Sequence, residues 1–170
     1  NKIISCGQGG FCATDDDEYA EKIRQIKDFG RDDKYDNNNI GTNLKFNDIL
    51  AAVALGQLNT LKERKEKLVY QYKRYSMSLN YYGKFMKFSD GEIPLWIEFY
   101  CERRDELLDF MQKNGISCRK PWKPFIGLKN SSDYYDNVLW LPNGQTLSNE
   151  DLYKIIINIK RFYDGNKEDT

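Results

Sequence analysis

The chain has 170 residues, enough for one domain with a proper core or for one and a part, and its 26 Lys plus Arg balance 26 Asp plus Glu at zero formal net charge. That balance lacks the basic bias that draws nucleic acid or anionic membrane, and no apolar run approaches the roughly 20 residues of a bilayer-spanning helix. With no His in the sequence, it supplies no Ser-His or Cys-His triad, no imidazole base and no mixed Cys/His zinc site. The chain opens on Asn1-Lys2-Ile3-Ile4-Ser5-Cys6-Gly7-Gln8-Gly9-Gly10, a lysine and two branched aliphatics running into a turn with three glycines in four residues. Such glycines allow positive φ and close backbone approach, but no Gly-Lys-Ser/Thr ending makes this a Walker loop. If the chain does chemistry, Lys2 is the expected place. The first residue being Asn rather than Met leaves two readings, a start outside the sequence or a fragment of something longer.

Residues 10–14 form a short apolar run that predicts a buried strand, and Asp15-Asp16-Asp17 after it predicts a helix start. That helix carries Tyr19, Ile23 and Ile26 on one face and stops at Gly30. Its acids suit the helix dipole as capping charge, so no metal site is expected there. Residues 31–45 are polar and turn-rich, a loop of the length that is functional or disordered in compact domains. Residues 46–75 carry the longest helical pattern. Ile49, Ala52, Val53 and Gly56 define one face, then Leu61, Leu68, Tyr72, Tyr75 and Leu79 recur at near-heptad spacing, with a mixed-charge solvated face over 62–67.

Beyond Tyr82-Gly83, strands and helices alternate. Strands are expected over 85–88, 93–100 and 116–119, with Pro94 marking an edge or a strand start. A helix is expected over 102–113 with Leu107, Leu108 and Met111 inward. A loop containing Pro121-Trp122-Lys123-Pro124-Phe125 precedes the apolar strand Val138-Leu139-Trp140-Leu141. The last helix has Ser148 as N-cap, Asp151 three residues on, and Leu147 with Leu152 as a hydrophobic staple. It turns Leu152, Ile155, Ile156, Ile159 and Phe162 inward, and residues 164–170 fray. Cys6, Cys12, Cys101 and Cys118 show no CxxC pairing and read as free thiols in a reducing compartment. From the residues alone the chain is an α/β segment, a long connecting helix and a small α+β domain, without a complete catalytic constellation.

Several motifs in one order nevertheless resemble the DegT/StrS family of sugar-nucleotide aminotransferases, and among them the GDP-perosamine synthase-like enzymes. Lys2 to Gly10 is similar to the family's lysine-to-glycine motif, and Lys27-Asp28-Phe29-Gly30-Arg31 to the segment after its next helix. Ile40-Gly41-Thr42-Asn43-Leu44-Lys45-Phe46, with Leu50-Ala51-Ala52-Val53 and Gln57-Leu58, is similar to its Gly-x-Asn loop and helix. Arg119 with Trp122-Lys123-Pro124, and Leu139-Trp140-Leu141-Pro142 with Leu147-Ser148, are similar to its small-domain signatures. The resemblance covers nearly all 170 residues and implies the C-terminal portion of a fold-type-I pyridoxal-phosphate enzyme. On that reading 1–45 end the large cofactor domain, 46–80 form the long linking helix and 81–170 the small C-terminal α+β domain.

The resemblance also implies roles. Lys2 would be the catalytic lysine that carries pyridoxal 5'-phosphate as an internal aldimine, with glutamate as amino donor and a nucleotide-linked 4-keto-6-deoxy sugar as acceptor. Asn43 matches the asparagine that reaches across a homodimer interface toward the neighbour's cofactor phosphate. Lys45 stands where many relatives carry Arg, which keeps the charge and loses the bidentate fork. Lys45, Arg119 and Trp122 are the expected substrate-side residues; no metal, nucleic acid or membrane is expected, and the expected location is the cytoplasm. Two departures stand out: Asn37 to Asn39 and Phe125-Ile126 occupy segments where many relatives carry His. The family's aspartate for the pyridine nitrogen, its ring-stacking residue and most phosphate donors would lie before Asn1, so residues 1–170 alone are expected to bind cofactor poorly or not at all. The alternative is a truncated, non-catalytic dimerisation or sugar-nucleotide-binding module of the same fold.

Overall fold

In a computed structural model the chain is described over residues 2–34, 36–125 and 128–165. It divides into two compact units, residues 1–61 and 62–170. The first contains helices α1 (Asp17–Lys27) and α2 (Asp48–Asn59). Asp16 caps α1 by accepting the Tyr19 N–H at 3.0 Å, and Asn47 caps α2 by accepting the Leu50 N–H at 2.9 Å. The segment from Thr42 to Leu44 runs along the end of α1. Thr42 N–H donates to the Ile26 carbonyl at 2.8 Å and Leu44 N–H to that of Lys27 at 3.0 Å. Gly30, at φ +74°, crosses Gly41 so closely that a Cβ on either would strike the other strand's backbone. Neither helix buries a residue, and all the buried hydrophobic side chains among the described residues lie in the second unit.

The second unit carries α3 (Leu61–Leu79, of which Leu61 closes the first unit), β1 (Lys84–Phe85), β2 (Ile97–Tyr100), α4 (Arg104–Lys113), α5 (Lys129–Asn137), β3 (Val138–Leu141) and α6 (Asn149–Asp164). The three strands form an antiparallel sheet in the order β1-β2-β3, with Ile97 opposite Leu141 and Phe99 opposite Leu139. Strand alternation sends these four to one face. There they join Leu107 and Met111 of α4, Leu152, Ile155, Ile156 and Ile159 of α6, and Tyr75 and Leu79 of α3 in a single core. The buried Gln71 amide fastens α3 to the turn after β3, donating to the Gly144 carbonyl at 2.8 Å and accepting its N–H at 3.0 Å.

Ser148 and Asp151 form a reciprocal capping box on α6: Ser148 Oγ accepts the Asp151 N–H at 3.0 Å, and Asp151 Oδ2 accepts the Ser148 N–H at 3.2 Å. Ser148→Ala removes the cap and is expected to lower unfolding free energy by about 1 kcal/mol, read from the urea midpoint. The Ser148 hydrogen bonds hold the Asp151 carboxyl below the ordinary 3.8. A depressed carboxyl contributes stability above its unfolded pKa and loses it as pH falls through the folded one, so the cap weakens only in acid.

The expected strand over 10–14 is absent; Phe11 is 82 % exposed in irregular chain. A short apolar run becomes a strand only where another strand takes up its backbone groups, and no strand occurs among the described residues of unit one. The expected unbroken helix from 46 is two helices, interrupted at Thr60 with φ −103° and ψ 8°. The strand expected over 85–88 is confined to Lys84–Phe85, and that over 93–100 to Ile97–Tyr100 after Pro94. In place of a strand over 116–119 there is one backbone bridge, Arg119 with Trp140, at 3.1 and 2.8 Å. Helix α5 is unexpected, because KNSSDYYDN is polar and carries no apolar stripe of its own. The four cysteines are free thiols, Cys101 and Cys118 in the core. Of the end expected to fray from residue 164, Asp164 is instead the last residue of α6, while Asn1, Tyr35 and residues 126–127 and 166–170 lie outside the described residues.

Candidate active site

Lys2 is exposed, and no described residue pairs with its ammonium. From Ile3 onward the chain runs into Gly7 at φ +90° and Gly9 at φ +137°. A Cβ at Gly7 would rest on Leu50 at 3.6 Å, whereas one at Gly9 would fall into the Phe46 ring. The glycine-rich stretch after Lys2 is therefore seated against the entry to α2, the same connection that carries Asn43 and Lys45. Sequence reading gave the glycines their freedom; the structure adds the aromatic ring that Gly9 must clear.

Asn43 is exposed and pairs through its backbone with Asp28. Its side-chain oxygen accepts the Lys45 N–H at 3.4 Å. Lys45 Nζ lies 2.7 Å from Asp28 Oδ1 and 5.6 Å from the centre of the Phe29 ring, with the Arg31 guanidinium 5.5 Å from the same ring. Phe29 itself stands at φ +60°, a conformation rare for a bulky residue, and its backbone N–H is tied to Thr42 at 3.2 Å. The ammonium of Lys45, expected on the substrate side, is thus committed to a carboxylate. That partner, Asp28, was visible in the sequence only as part of a motif; its placement depends on the Thr42–Leu44 segment folding back along α1.

The hydrogen bond from Lys45 is the main cause that holds the Asp28 carboxyl below its ordinary 3.8, aided by the charges of Lys45, Arg31 and Lys27. This contribution is present above the ordinary carboxyl range and disappears as pH falls through the depressed value. A carboxyl-carbon NMR titration of Lys45→Met is expected to return the Asp28 midpoint toward 3.8; an unmoved midpoint would refute the pairing.

Arg119 and Trp122 belong to the second unit. The Arg119 side chain is exposed although its backbone is bridged to Trp140. Trp122 is 71 % exposed and stands nearly perpendicular to Trp140 at 4.8 Å and to Trp96 at 5.7 Å, while Trp96 and Trp140 stack at 4.4 Å. The three tryptophans of the chain therefore meet in one cluster. Neither Trp96 nor Trp140 was expected beside Trp122, since they come from separate parts of the sequence. No group of three or more His, Cys, Asp or Glu that could hold a metal occurs among the described residues, and none of their helices is long and apolar enough to cross a membrane.

The chain, with a lysine and glycine stretch in its first unit and a three-stranded sheet with flanking helices in its second, has the fold of sugar aminotransferases. The structure superposes on a DegT DnrJ EryC1 StrS aminotransferase from Brucella abortus with a TM-score of 0.80 and 29% identity, over 88% of this chain and 44% of that one. It likewise matches the fold of the aminotransferase TlmJ from Streptoalloteichus hindustanus, TM-score 0.84 at 20% identity, over 96% of this chain and 50% of the other. In sequence it is 25% identical over 198 residues to a UDP-4-amino-4,6-dideoxy-N-acetyl-beta-L-altrosamine transaminase of Campylobacter jejuni, covering 96% of this chain and 52% of the relative. It is 29% identical over 136 residues to the GDP-perosamine synthase of Caulobacter vibrioides, covering 73% and 37%. Residues 1–160 match the DegT/DnrJ/EryC1/StrS aminotransferase family, and the chain belongs to it. The family and its structural neighbours are pyridoxal-phosphate-dependent aminotransferases. The chain spans about half the length of the curated relatives it matches.

Proposed function

We propose that this chain is the lysine-bearing portion of a cytoplasmic, homodimeric sugar aminotransferase that moves an amino group from glutamate to a nucleotide-linked 4-keto-6-deoxy sugar. The observation that carries the reading is Lys2, an exposed amine with no partner among the described residues, leading into a glycine stretch packed on Phe46 and Leu50. An uncommitted primary amine fits covalent attachment of pyridoxal phosphate, and the exposed Asn43 amide fits a hydrogen bond to a phosphate oxygen. Bound pyridoxal phosphate supplies the electron sink that stabilises a carbanion at the amino-bearing carbon. Lys2 Nζ would hold the cofactor and would pass a proton to and from the amino-bearing carbon. Asn43 would orient the phosphate of the cofactor held by the partner subunit, and Asp28 restrains Lys45 at the edge of the same connection. The GDP-perosamine-type acceptor is the most specific form of this reading, supported by the motif resemblance and by a relative of that name.

A non-catalytic dimerisation or sugar-nucleotide-binding module of the same fold is the second reading, favoured by the pairing of the Lys45 ammonium, expected on the substrate side, with Asp28 at 2.7 Å. Borohydride reduction of the full-length protein with pyridoxal phosphate, followed by peptide mass spectrometry, separates the two. A pyridoxyl mass on the peptide containing Lys2 is the expected result; its absence there leaves the module.

A further inference from the structure

Asn43 sits on a short piece of chain that is tied down on both sides. Thr42 N–H and Leu44 N–H donate to the Ile26 and Lys27 carbonyls at 2.8 and 3.0 Å, and the Thr42 carbonyl accepts the Phe29 N–H at 3.2 Å. The two carbonyls belong to the last turn of α1, whose backbone oxygens have no acceptor role left inside the helix and need an outside donor. Between these bonds Asp28 and Asn43 stand opposite one another as an antiparallel bridge. Behind the bridge Gly30 crosses Gly41, where a Cβ on Gly41 would lie 2.1 Å from the Gly30 nitrogen.

The side chains close the same corner. Asn43 Oδ1 accepts the Lys45 N–H at 3.4 Å, and Lys45 Nζ reaches Asp28 Oδ1 at 2.7 Å. Asp28 Oδ1 is closed to solvent, so its charge depends on that ammonium, with the Arg31 guanidinium farther off at 3.9 Å. A ring of contacts results, running from the Asn43 amide to the Lys45 backbone, through the Lys45 ammonium to the Asp28 carboxylate, and back to Asn43 by the bridge. With its oxygen engaged, the Asn43 amide has its Nδ2 donor left, which has no partner among the described residues. Drawing the Lys45 ammonium away to a substrate anion would leave the closed-off Asp28 oxygen without its nearest cation. We propose that Lys45 and Asp28 are positioning residues that brace the Asn43 amide, and that the Lys45 ammonium does not serve the substrate. This rests on the reading above in which Asn43 contacts the cofactor phosphate held by the partner subunit.

Calorimetric titration of the full-length protein, freed of cofactor, with pyridoxamine 5'-phosphate and with pyridoxamine tests it. Asn43→Ala is expected to weaken the phosphate ester by about tenfold or more, as loss of a hydrogen bond to a charged group does. Lys45→Met and Asp28→Asn are each expected to weaken it by about threefold, and the double variant by no more than either alone. Lys45→Arg, which keeps a cation for Asp28, should bind like the parent. Pyridoxamine, which lacks the phosphate, should bind the parent and every variant alike. Far-UV circular dichroism confirms the fold of each variant. Lys45→Met and Asp28→Asn that both bind the phosphate ester like the parent would overturn the inference, as would losses that multiply in the double variant or an equal loss of pyridoxamine. The Lys2 adduct is read separately: an adduct with binding indifferent to Lys45 and Asp28 sinks this inference and leaves the aminotransferase reading intact. Asn43→Ala that binds the phosphate ester like the parent removes the phosphate contact, and this inference with it, whatever the adduct shows.

Discussion

Lys2→Arg in the full-length protein is expected to lower aminotransferase turnover at least a thousandfold, a loss of about 4 kcal/mol or more of transition-state stabilisation, while leaving the fold unchanged. The substitution keeps the positive charge and the exposed position of Lys2. It removes the one property the proposed chemistry requires, an amine that can lose its proton and act as nucleophile, because a guanidinium stays protonated at any working pH. Charge contributed by Lys2 to substrate attraction would survive in the variant, so a simple electrostatic role predicts a change of a few fold. Steady-state rates with glutamate and a range of nucleotide-linked keto sugars, together with the absorbance of bound cofactor, give the answer. Turnover within tenfold of the parent would refute a catalytic Lys2.

The second large effect lies in the other unit. Phe99→Ala is expected to cost about 3 to 5 kcal/mol of unfolding free energy. Phe99 has no exposed surface, occupies the middle strand opposite Leu139, and packs against Phe85 with ring centres 5.0 Å apart. Removing its ring leaves a cavity walled on one side by the sheet and on the other by α4 and α6, elements too well fixed to collapse fully. Urea unfolding followed by tryptophan fluorescence suits the measurement, since all three tryptophans report from this unit. Phe11→Ala is the matched control. With its ring 82 % exposed it should move the midpoint by no more than about 0.5 kcal/mol, and an equal effect of the two would contradict the burial pattern.

The contrast between these two phenylalanines shows where sequence reading stops. Phe11 sits in an apolar run that looks like a strand, yet strand formation depends on a neighbour whose N–H and C=O groups are free, which no local pattern encodes. Phe99 sits in a run whose alternation suits a sheet, and there the partners Leu139 and Phe85 exist. Thr60 teaches the same point in helices. Its side chain and backbone turn back on α2, the hydroxyl donating to the Gln57 carbonyl at 3.2 Å, and so end one helix where the periodicity alone continues.

By itself the sequence determined those features that depend on residues close along the chain: the α6 capping box at Ser148 and Asp151, the inward face of α4 through Leu107 and Met111, and the apolar strand β3. It also carried the match over residues 1–160 on which membership of the family rests. Only the tertiary structure decided which distant side chains meet. Asp28 took Lys45, Phe46 came to lie against Gly9, and Trp96 and Trp140 became the base on which Trp122 stands. Local signals act through hydrogen bonds and side-chain contacts within about four residues and can be read in one pass. Pairings across 17 to 44 residues depend on how the backbone returns, and that is fixed by the packing of whole elements.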